Sequence, residues 1–278
     1  MIRFSEVKDA RLIKIKCGQC IGCRLERRDM WAVRCFAESQ CHLDNCFLTL
    51  TYDEPNLPMH GSLKYEDFQL FMKRLRRKVG PVRFFMCGEY GDDFERPHFH
   101  ALLFGYNFPD IKRLRPDSGL ARSEILEGLW TKGFATVGEV TYASARYVAS
   151  YCIKKVNGPA AVEHYRRVDP FTGEIVEIEP EFCRMSLKPG IGFEWLKRYW
   201  KDIYLRGHHG IVLNGSVKRV PRYFDKRMDD LVPLLMDDIE FQRVLHAERF
   251  ADDQTPQRLA AREAVEKARL NFELQKRV

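Results

Sequence analysis

The sequence predicts an α+β fold in which one antiparallel sheet carries helices on one of its faces. Three observations lead to this expectation. Strand-like and helix-like segments follow each other as β-α-β-β-α-β-α between residues 46 and 155, turn residues join two neighbouring strands, and the first helix has apolar residues at helical spacing. A chain with this order folds most simply as a ferredoxin-like, or RRM-like, layer.

The individual elements follow from local patterns. The segment CFLTLTY (46–52) predicts a strand that two prolines stop. Apolar residues at helical spacing predict a helix from Tyr65 to Val79, with Ser62 placed to cap its start. The segments VRFFMCGEY and HFHALLFGY predict strands, and GDDFERP between them predicts a hairpin with a loop longer than the minimum.

The remaining chain predicts further helices and four segments. A helix near 122–130, the strand FATVGEV and a helix over 142–155 complete the core, and FEWLKRYWKDIYL predicts one more helix. We therefore expect an N-terminal cysteine-containing segment (1–45), a core (46–160), a basic extension packed on the core (161–226) and a charged helical tail (227–278) broken near Thr255 and Pro256.

The composition is that of a globular protein with a basic bias. Of 278 residues, 45% are hydrophobic and 12% aromatic, which argues against a disordered chain. No apolar run approaches the roughly 18 residues of a membrane span, and the charged N-terminus does not resemble a signal peptide, so we expect a cytoplasmic protein with no membrane partner. In residues 141–228, 16 basic residues stand against 9 acidic ones, and the whole chain has a net charge of +7. This excess favours a polyanionic partner, nucleic acid first.

The predicted hairpin contains the pattern of a metal site. Residues two apart in a strand share a face, so His98 and His100 project together. Pairing across the turn brings Glu89, near the end of the preceding strand, beside them. Two imidazoles and a carboxylate form a three-ligand site with positions open for substrate oxygens. Without the carboxylate, two ordinary histidines would be the favoured interpretation; with it, we predict a divalent-cation site.

The helix over 142–155 contains a pair of tyrosines. Tyr147 and Tyr151 are one turn apart, so both phenols point the same way, about 6 Å apart along the axis, and Lys154 and Lys155 follow them. A phenol, with an ordinary pKa of about 10, needs a positive charge, a base or a metal to become a nucleophile. Beside the metal site, the pair predicts a transesterase that joins a tyrosine to a DNA 5′-phosphate and frees a 3′-OH. The alternative is two aromatic rings that only pack on the sheet.

Basic side chains are candidate DNA contacts. The outer face of the helix that begins near Tyr65 carries Arg74, Arg77 and Lys78, and Arg146 lies on the tyrosine helix. A basic helix face is most often only solvated. No G-x-x-x-x-G-K-[ST] loop occurs, so the sequence gives no sign of a nucleotide-driven motor.

The cysteines suggest a second metal site. There are nine in all, and without a secretion signal they favour thiols or metal ligands over disulfides. Cys17, Cys20 and Cys23 have the spacing C-x-x-C-x-x-C, which lets thiolates converge on a structural Zn²⁺. An iron–sulfur cluster is less favoured because no redox step is implied, and three reduced thiols before a basic helix are the simplest alternative. The candidates for a fourth ligand are Cys35, Cys41, His42 and Cys46.

In combination, these motifs resemble a known family. RPHFHALLFG resembles the HUH motif of rolling-circle replication initiators, FLTLTYD resembles their first motif strand, and YVASYCIKK resembles their two-tyrosine motif. The segments CGQCIGCRLERRDMWAVRC and PRYFDK are similar to those of the initiators of gokushovirus-type microviruses. The resemblance covers roughly residues 17–227.

The resemblance implies an HUH endonuclease fold and an enzyme that nicks and rejoins DNA at a phage origin with Mg²⁺ or Mn²⁺. It implies single-stranded and origin DNA as substrates, a host helicase and polymerase as partners, and the cytoplasm of an infected bacterium as the location. Initiators of the gene A type carry a lysine just before the second tyrosine, where this chain has Ser150. Which of Lys154 and Lys155 acts on the tyrosines therefore stays open.

Other functions fit fewer of these motifs. A non-haem iron oxygenase also uses two histidines and a carboxylate, but it gives the tyrosines no role. A DNA-binding module without catalysis explains the charge and not the five-residue constellation. A relaxase or transposase of the same HUH class is the nearest alternative.

Overall fold

The computed structural model describes residues 16–91, 94–114, 119–169, 172–205, 210–213 and 215–275. The helices are α1 (Ile21–Ser39), α2 (Tyr65–Val79), α3 (Glu124–Trp130), α4 (Tyr142–Lys154), α5 (Ala160–His164), α6 (Phe193–Tyr204), α7 (Arg222–Leu231), α8 (Pro233–Glu248) and α9 (Pro256–Gln275). The strands are β1 (Asn45–Tyr52), β2 (Arg83–Tyr90), β3 (Pro97–Phe104), β4 (Lys112–Arg113), β5 (Ala121–Arg122), β6 (Gly133–Gly138), β7 (Arg166–Val168), β8 (Ile175–Glu177), β9 (Phe182–Met185), β10 (Gly210–Leu213) and β11 (Ser216–Arg219).

One antiparallel sheet organises the described part of the chain. Its strand order is β4-β5-β6-β1-β3-β2-β9, and the registers of its pairs are antiparallel throughout. The four central strands, β6-β1-β3-β2, have the order of a ferredoxin-like layer, with α2 and α3 as the two crossovers. The predicted α+β class is confirmed, and the predicted hairpin is the β2–β3 pair.

Helices cover both faces of this sheet, so the expectation of a single helical face is wrong. On one face, α2 and α3 pack against a core that includes Phe99 and Trp130, both fully buried. On the other face, residues of α4 such as Val148 pack with strand residues including Phe85 and Leu102. The alternation of side chains along each strand feeds both cores, because neighbouring residues point to opposite faces.

The second face is built from α4 together with the N-terminal helix α1. Thr141 caps α4, since its hydroxyl accepts the Ser144 N–H at 3.1 Å and the Ser144 hydroxyl accepts the Thr141 N–H at 2.8 Å. This capping box fixes where the helix starts, and therefore which of its residues reach the end of the sheet. An ion pair between Arg146 and Asp29 of α1, with Nε 3.3 Å from Oδ1, ties the two helices together.

A separate hydrophobic cluster joins α1 to the C-terminal elements. It includes Val33 of α1, Trp195 and Leu196 of α6, and the fully buried Phe224 of α7. The tail is helical as predicted and breaks between α8 and α9, where Thr255 precedes Pro256. No described helix combines the length and the apolar composition that a membrane crossing requires.

Some sequence expectations differ in detail. Ser62 does not cap α2, whose N-cap is Lys64 without a side-chain cap; the Ser62 hydroxyl instead accepts the Glu179 N–H at 2.9 Å. The predicted segment boundaries stay predictions. Strand β9, from the predicted extension, pairs with β2 in the main sheet. Parts of the predicted N-terminal segment (1–15), hairpin turn (92–93), extension (170–171, 206–209 and 214) and tail (276–278) lie outside the described residues.

Candidate metal and tyrosine site

The sheet brings the three predicted metal ligands together. Glu89 at the end of β2 is paired directly with His98 at the start of β3, and His100 lies two residues further along the same face. Directly paired residues in an antiparallel sheet project to the same side. Glu89 and His100 are buried, and His98 is half-buried, so the cluster has one open side.

The ligand atoms of this cluster converge. One atom from each side chain lies within 4.8 Å of the others. Glu89 Oε1 lies 2.7 Å from His98 Nε2 and 3.3 Å from His100 Nε2. The other ring nitrogens are held from behind: His98 Nδ1 donates to the Arg96 carbonyl at 3.0 Å, and His100 Nδ1 lies 3.0 Å from the Thr49 hydroxyl. Such second partners orient both Nε2 atoms as ligands.

The charges in the cluster fit a bound cation. Glu89 Oε2 lies 2.9 Å from Lys154 Nζ, an ion pair without hydrogen-bond geometry, so this buried oxygen has no hydrogen-bond donor among the described residues. Burial alone would raise the pKa of Glu89. The neighbouring imidazoles and the Lys154 ammonium outweigh burial and hold that pKa well below its usual range. Burial lowers the pKa of His100, which favours the neutral, ligating form. The site is therefore a carboxylate with two neutral-capable imidazoles, a donor set that fits a divalent cation.

Both tyrosines of α4 lie against this cluster. The Tyr147 hydroxyl is 3.4 Å from His100 Nε2, and the Tyr151 hydroxyl donates to the Tyr147 hydroxyl. The Tyr151 ring stacks on His100, with centroids 4.9 Å apart and planes at 15°. The two phenols thus share one face of the helix, as the four-residue spacing predicts.

The two tyrosines have different surroundings. Tyr151 is only 7% exposed, and burial, followed by the charge of Glu89 and the contact with Tyr147, raises its pKa well above the usual range. Tyr147 is half-buried and reaches the ligand set directly. Tyr147 is therefore the more accessible of the two hydroxyls.

The structure separates the two lysines that the sequence left equivalent. Lys154, the last residue of α4, pairs with Glu89 and places its Nζ 5.0 Å from the centroid of the Tyr151 ring. Lys155 has left the helix, with φ −50° and ψ 121°, and is exposed. Of the two, it is Lys154 that lies in the site.

The four predicted DNA contacts are spread over both faces. Arg74 of α2 donates to the carbonyls of Leu129 and Trp130, at 2.7 and 3.3 Å, and so caps the end of α3. Arg77 and Lys78 are exposed, but α2 packs on the face of the sheet opposite the site. Arg146 pairs with α1 as described above. Contact of these residues with DNA stays a prediction.

The three clustered cysteines also lie together. Cys17 Sγ is 3.9 Å from Cys23 Sγ, the Cys20 N–H donates to Cys17 Sγ at 3.3 Å, and one atom from each residue lies within 4.8 Å of the others. Hydrogen bonds from the backbone N–H groups of Cys20 and Gln19 lower the pKa of Cys17 to about 7. None of the proposed fourth ligands belongs to this group among the described residues.

Sequence reasoning missed two residues that support the site. The Thr49 hydroxyl and the Arg96 carbonyl hold the histidines from behind. Thr49 lies on β1 directly opposite His100, and that register cannot be derived from the pattern of β1 alone. Arg96 is the residue two before His98 in the turn, and only its backbone is used.

The comparisons with known proteins agree with this site. A family model for the replication-associated protein ORF2 matches residues 45–156, which contain the ligands and both tyrosines. Replication-associated protein VP4 of Bdellovibrio phage phiMH2K is 35% identical over 230 residues, covering 78% of this chain and 68% of its own. Replication-associated protein ORF2 of Spiroplasma virus 4 is 32% identical, covering 77% and 68%. Replication-associated protein ORF4 of Chlamydia phage 1 is 30% identical, covering 82% and 56%.

A comparison with solved structures finds no match. The fold and the site define a protein in which one sheet presents a cluster of potential metal ligands to two tyrosines. By these relatives, the chain belongs to the family of replication-associated proteins of gokushovirus-type phages, and its role is that of a replication initiator.

Proposed function

We propose that this protein nicks single-stranded DNA at the phage origin by tyrosine transesterification and later rejoins the strand, releasing circular single-stranded DNA. One observation carries the proposal: the Tyr147 hydroxyl lies 3.4 Å from a nitrogen of the Glu89–His98–His100 cluster and receives a hydrogen bond from a second tyrosine. A core aromatic has no need of a hydroxyl at this position.

In the proposed reaction, a tyrosine oxygen bonds to phosphorus and the bond from phosphorus to O3′ breaks. The phenol gives up its proton, and O3′ leaves with a proton as a free 3′-OH. A divalent cation on the three ligands would polarise the scissile phosphate. Lys154 supplies a fixed positive charge beside the tyrosines and the incoming phosphate. Because the 5′-phosphotyrosine is itself a phosphodiester, the strand is rejoined without ATP.

Two tyrosines allow repeated rounds. One holds the 5′ end of the old strand while the other attacks the regenerated junction. The lysines after Tyr151 in the sequence pointed to that residue as the first nucleophile. The geometry favours Tyr147 instead, since its hydroxyl is nearer the ligands and more accessible, while Tyr151 donates to it.

The donor set bears on which metal is used. Carboxylate and water suit Mg²⁺ and Mn²⁺ alike, whereas imidazole nitrogen is a poorer ligand for Mg²⁺. With two imidazoles among three ligands, we expect Mn²⁺ to bind more tightly than Mg²⁺. The further partners that we propose are origin DNA and the host helicase and polymerase, and the proposed location is the cytoplasm of the infected bacterium.

We also propose that Cys17, Cys20 and Cys23 hold a structural Zn²⁺ ion. Their convergence and the N–H···S bond within the cluster support this, because zinc thiolates are commonly held in this way. Three protein thiolates leave the fourth position to water or to another ligand. Zinc content that falls when all three become serine would support the site.

The test of the nicking proposal is a covalent adduct. Labelled circular single-stranded DNA from the phage's own genome is incubated with the protein and Mn²⁺, then run on denaturing gels. We expect a protein–DNA adduct with the wild type and none with the Tyr147→Phe/Tyr151→Phe double variant. Each single variant should form an adduct but stall after one round, and Tyr147→Phe should slow the first cleavage more.

A tyrosine outside the pair provides the control. Tyr142 is on the same helix but packs against Phe36, with ring centroids 5.9 Å apart, so Tyr142→Phe should leave the adduct unchanged. An adduct that persists in the double variant, or one that maps to Tyr142, would refute the two-tyrosine mechanism.

A further inference from the structure

Strand β6 carries an exposed phenylalanine on the same face of the sheet as the metal ligands. Phe134 is 68% exposed. Its neighbour Ala135 is buried in the core beneath α2 and α3. Because side chains alternate along a strand, Phe134 points to the opposite face, where the tyrosines lie. A large apolar ring left in solvent beside a proposed active site calls for an occupant.

The register places Phe134 in one row with the ligands. Thr51 of β1 pairs with Phe134 on one side and with His98 on the other, and His98 pairs with Glu89. The row across the sheet is therefore Phe134–Thr51–His98–Glu89. Adjacent strands are about 4.8 Å apart, so two strand spacings put Phe134 about 10 Å from His98.

The surface between them is shallow and polar. The neighbouring row on this face holds Thr136 and Thr49 beside His100, and these threonines, like Thr51, are half-buried. The helices of this face pack mainly on the other side of the site: buried residues of α4 contact Phe85 and Cys87 of β2. What remains next to His98 is a shelf of threonines that ends at one exposed ring.

The backbone holds this ring in place. Gly133, just before Phe134, has φ +139°, and a Cβ there would lie 2.3 Å from the Asp53 nitrogen. The Asp53 N–H in turn donates to the Lys132 carbonyl at 3.0 Å. Close backbone contact of this kind fixes the start of the strand, so the ring of Phe134 projects from a rigid element.

We propose that Phe134 is a stacking platform for an unpaired base of the single-stranded DNA whose backbone enters the metal and tyrosine site. This inference rests on the proposed nicking function. An exposed aromatic ring on an open sheet face is a general device for holding single-stranded nucleic acid, since every base has a π-face. A base held about 10 Å from His98, two strand spacings away, would fix the register of the strand, and hence which phosphate meets the tyrosines.

The test pairs a protein variant with a DNA variant. A fluorescent single-stranded origin fragment is replaced by versions with one abasic site each, and binding is measured with chelator so that no cleavage occurs. We expect one or two adjacent positions at which base loss weakens wild-type binding about 5- to 100-fold, the range of one base–aromatic stack. Phe134→Ala should weaken binding to intact DNA by a similar factor and be insensitive to base loss at those positions, and Phe134→Trp should restore the sensitivity.

Another exposed phenylalanine is the control. Phe241 on α8 is 59% exposed and outside the sheet, so Phe241→Ala should keep the wild-type abasic profile. If Phe134→Ala keeps that profile too, the platform is wrong. Adduct formation by the wild type is scored separately: an adduct with no Phe134-dependent position refutes only the platform, and a Phe134-dependent position without any adduct refutes the nicking reaction.

Discussion

The cluster of Glu89, His98 and His100 and the cluster of Cys17, Cys20 and Cys23 flank the same end of helix α4, yet they are built differently. The first lies on paired strands and is largely buried, and each histidine has a second partner behind its ring. The second lies just before and within the first turn of α1, with two of its three cysteines exposed. Arg24 of that turn reaches the Lys155 carbonyl at 3.5 Å.

The difference teaches what each cluster can do. Strand pairing and second partners fix the first set before any ion arrives, which is what catalysis at a defined distance requires. The thiols have little to hold them except each other and a backbone N–H. Loss of the first cluster should therefore remove chemistry and leave the fold, whereas loss of the second should loosen one end of α1 and leave most of the chemistry.

The largest expected effect is at the histidines. His98→Ala or His100→Ala should lower the rate of adduct formation by about 1,000-fold or more, because a metal contributes several kcal/mol to charge stabilisation and about 1.4 kcal/mol is tenfold in rate. Mn²⁺ affinity, measured by calorimetry, should fall with it, while the circular dichroism spectrum stays unchanged.

The exposed His164 provides a matched histidine outside the site. His164→Ala should keep both the adduct and the Mn²⁺ affinity. Full activity of the His98/His100 double variant in chelator would show that the buried cluster has no part in the chemistry, and the contrast between the two clusters would disappear.

A second test compares the adjacent lysines. Lys154→Met should slow adduct formation about 10- to 100-fold, since it removes the charge next to Tyr151 while keeping the length of the side chain. Lys155→Met should have no effect on adduct formation beyond a small loss of DNA affinity, because its side chain is exposed outside the helix. Rates at saturating DNA measure the first, and equal losses in the two variants would mean that only bulk charge matters.

The sequence was sufficient for the central layer and for the ligand set. The strand pattern, the turn and the two-residue spacing of His98 and His100 are local, and local signals survive in a single sequence. The second helical face was missed because it depends on long-range packing of α1 against α4, where small residues such as Ala32 and Ala145 allow close approach. Strand β9 was missed for a similar reason, since its four residues are a strand only through pairing with β2.

The choice between Lys154 and Lys155 shows a second limit. Both residues continue the helical pattern, and the position at which α4 ends decides which of them faces the cluster. That position depends on Lys155 turning out of the helix at ψ 121°, which no residue type at this point enforces. The same holds for Phe134, whose exposure follows from the order of strands and not from its own neighbours in sequence.

A third test addresses the thiols. Replacement of Cys17, Cys20 and Cys23 by serine should remove bound zinc and lower the Tm by about 3–8 °C, the scale of one to two kcal/mol in a domain of this size. The adduct rate at 25 °C should change less than threefold. Cys41→Ser, at a half-buried position outside the cluster, should keep the zinc. A loss of adduct as large as that in the histidine variants would place the cysteines in the catalytic site.

The smallest effect is a difference in reactivity within the thiol cluster. Backbone N–H groups of Cys20 and Gln19 lower the pKa of Cys17 to about 7, whereas burial raises the pKa of Cys23 and, more strongly, that of Cys46. Only the thiolate is alkylated. In chelator, the rate of Cys17 labelling by iodoacetamide should therefore be half-maximal near pH 7, fall about tenfold per pH unit below it, and level off above pH 8.

Peptide mapping by mass spectrometry measures each site, and Cys46 serves as the buried thiol that should stay unlabelled in the folded protein. Added Zn²⁺ should slow the labelling of Cys17, Cys20 and Cys23 together, because one ion would engage all three thiolates. Protection of Cys17 alone would mean that the thiols bind zinc separately. Labelling of Cys17 that is half-maximal near the ordinary thiol pKa of about 8.5 would mean that the N–H···S contacts do not form in solution, and the exposed cluster would then be three independent thiols.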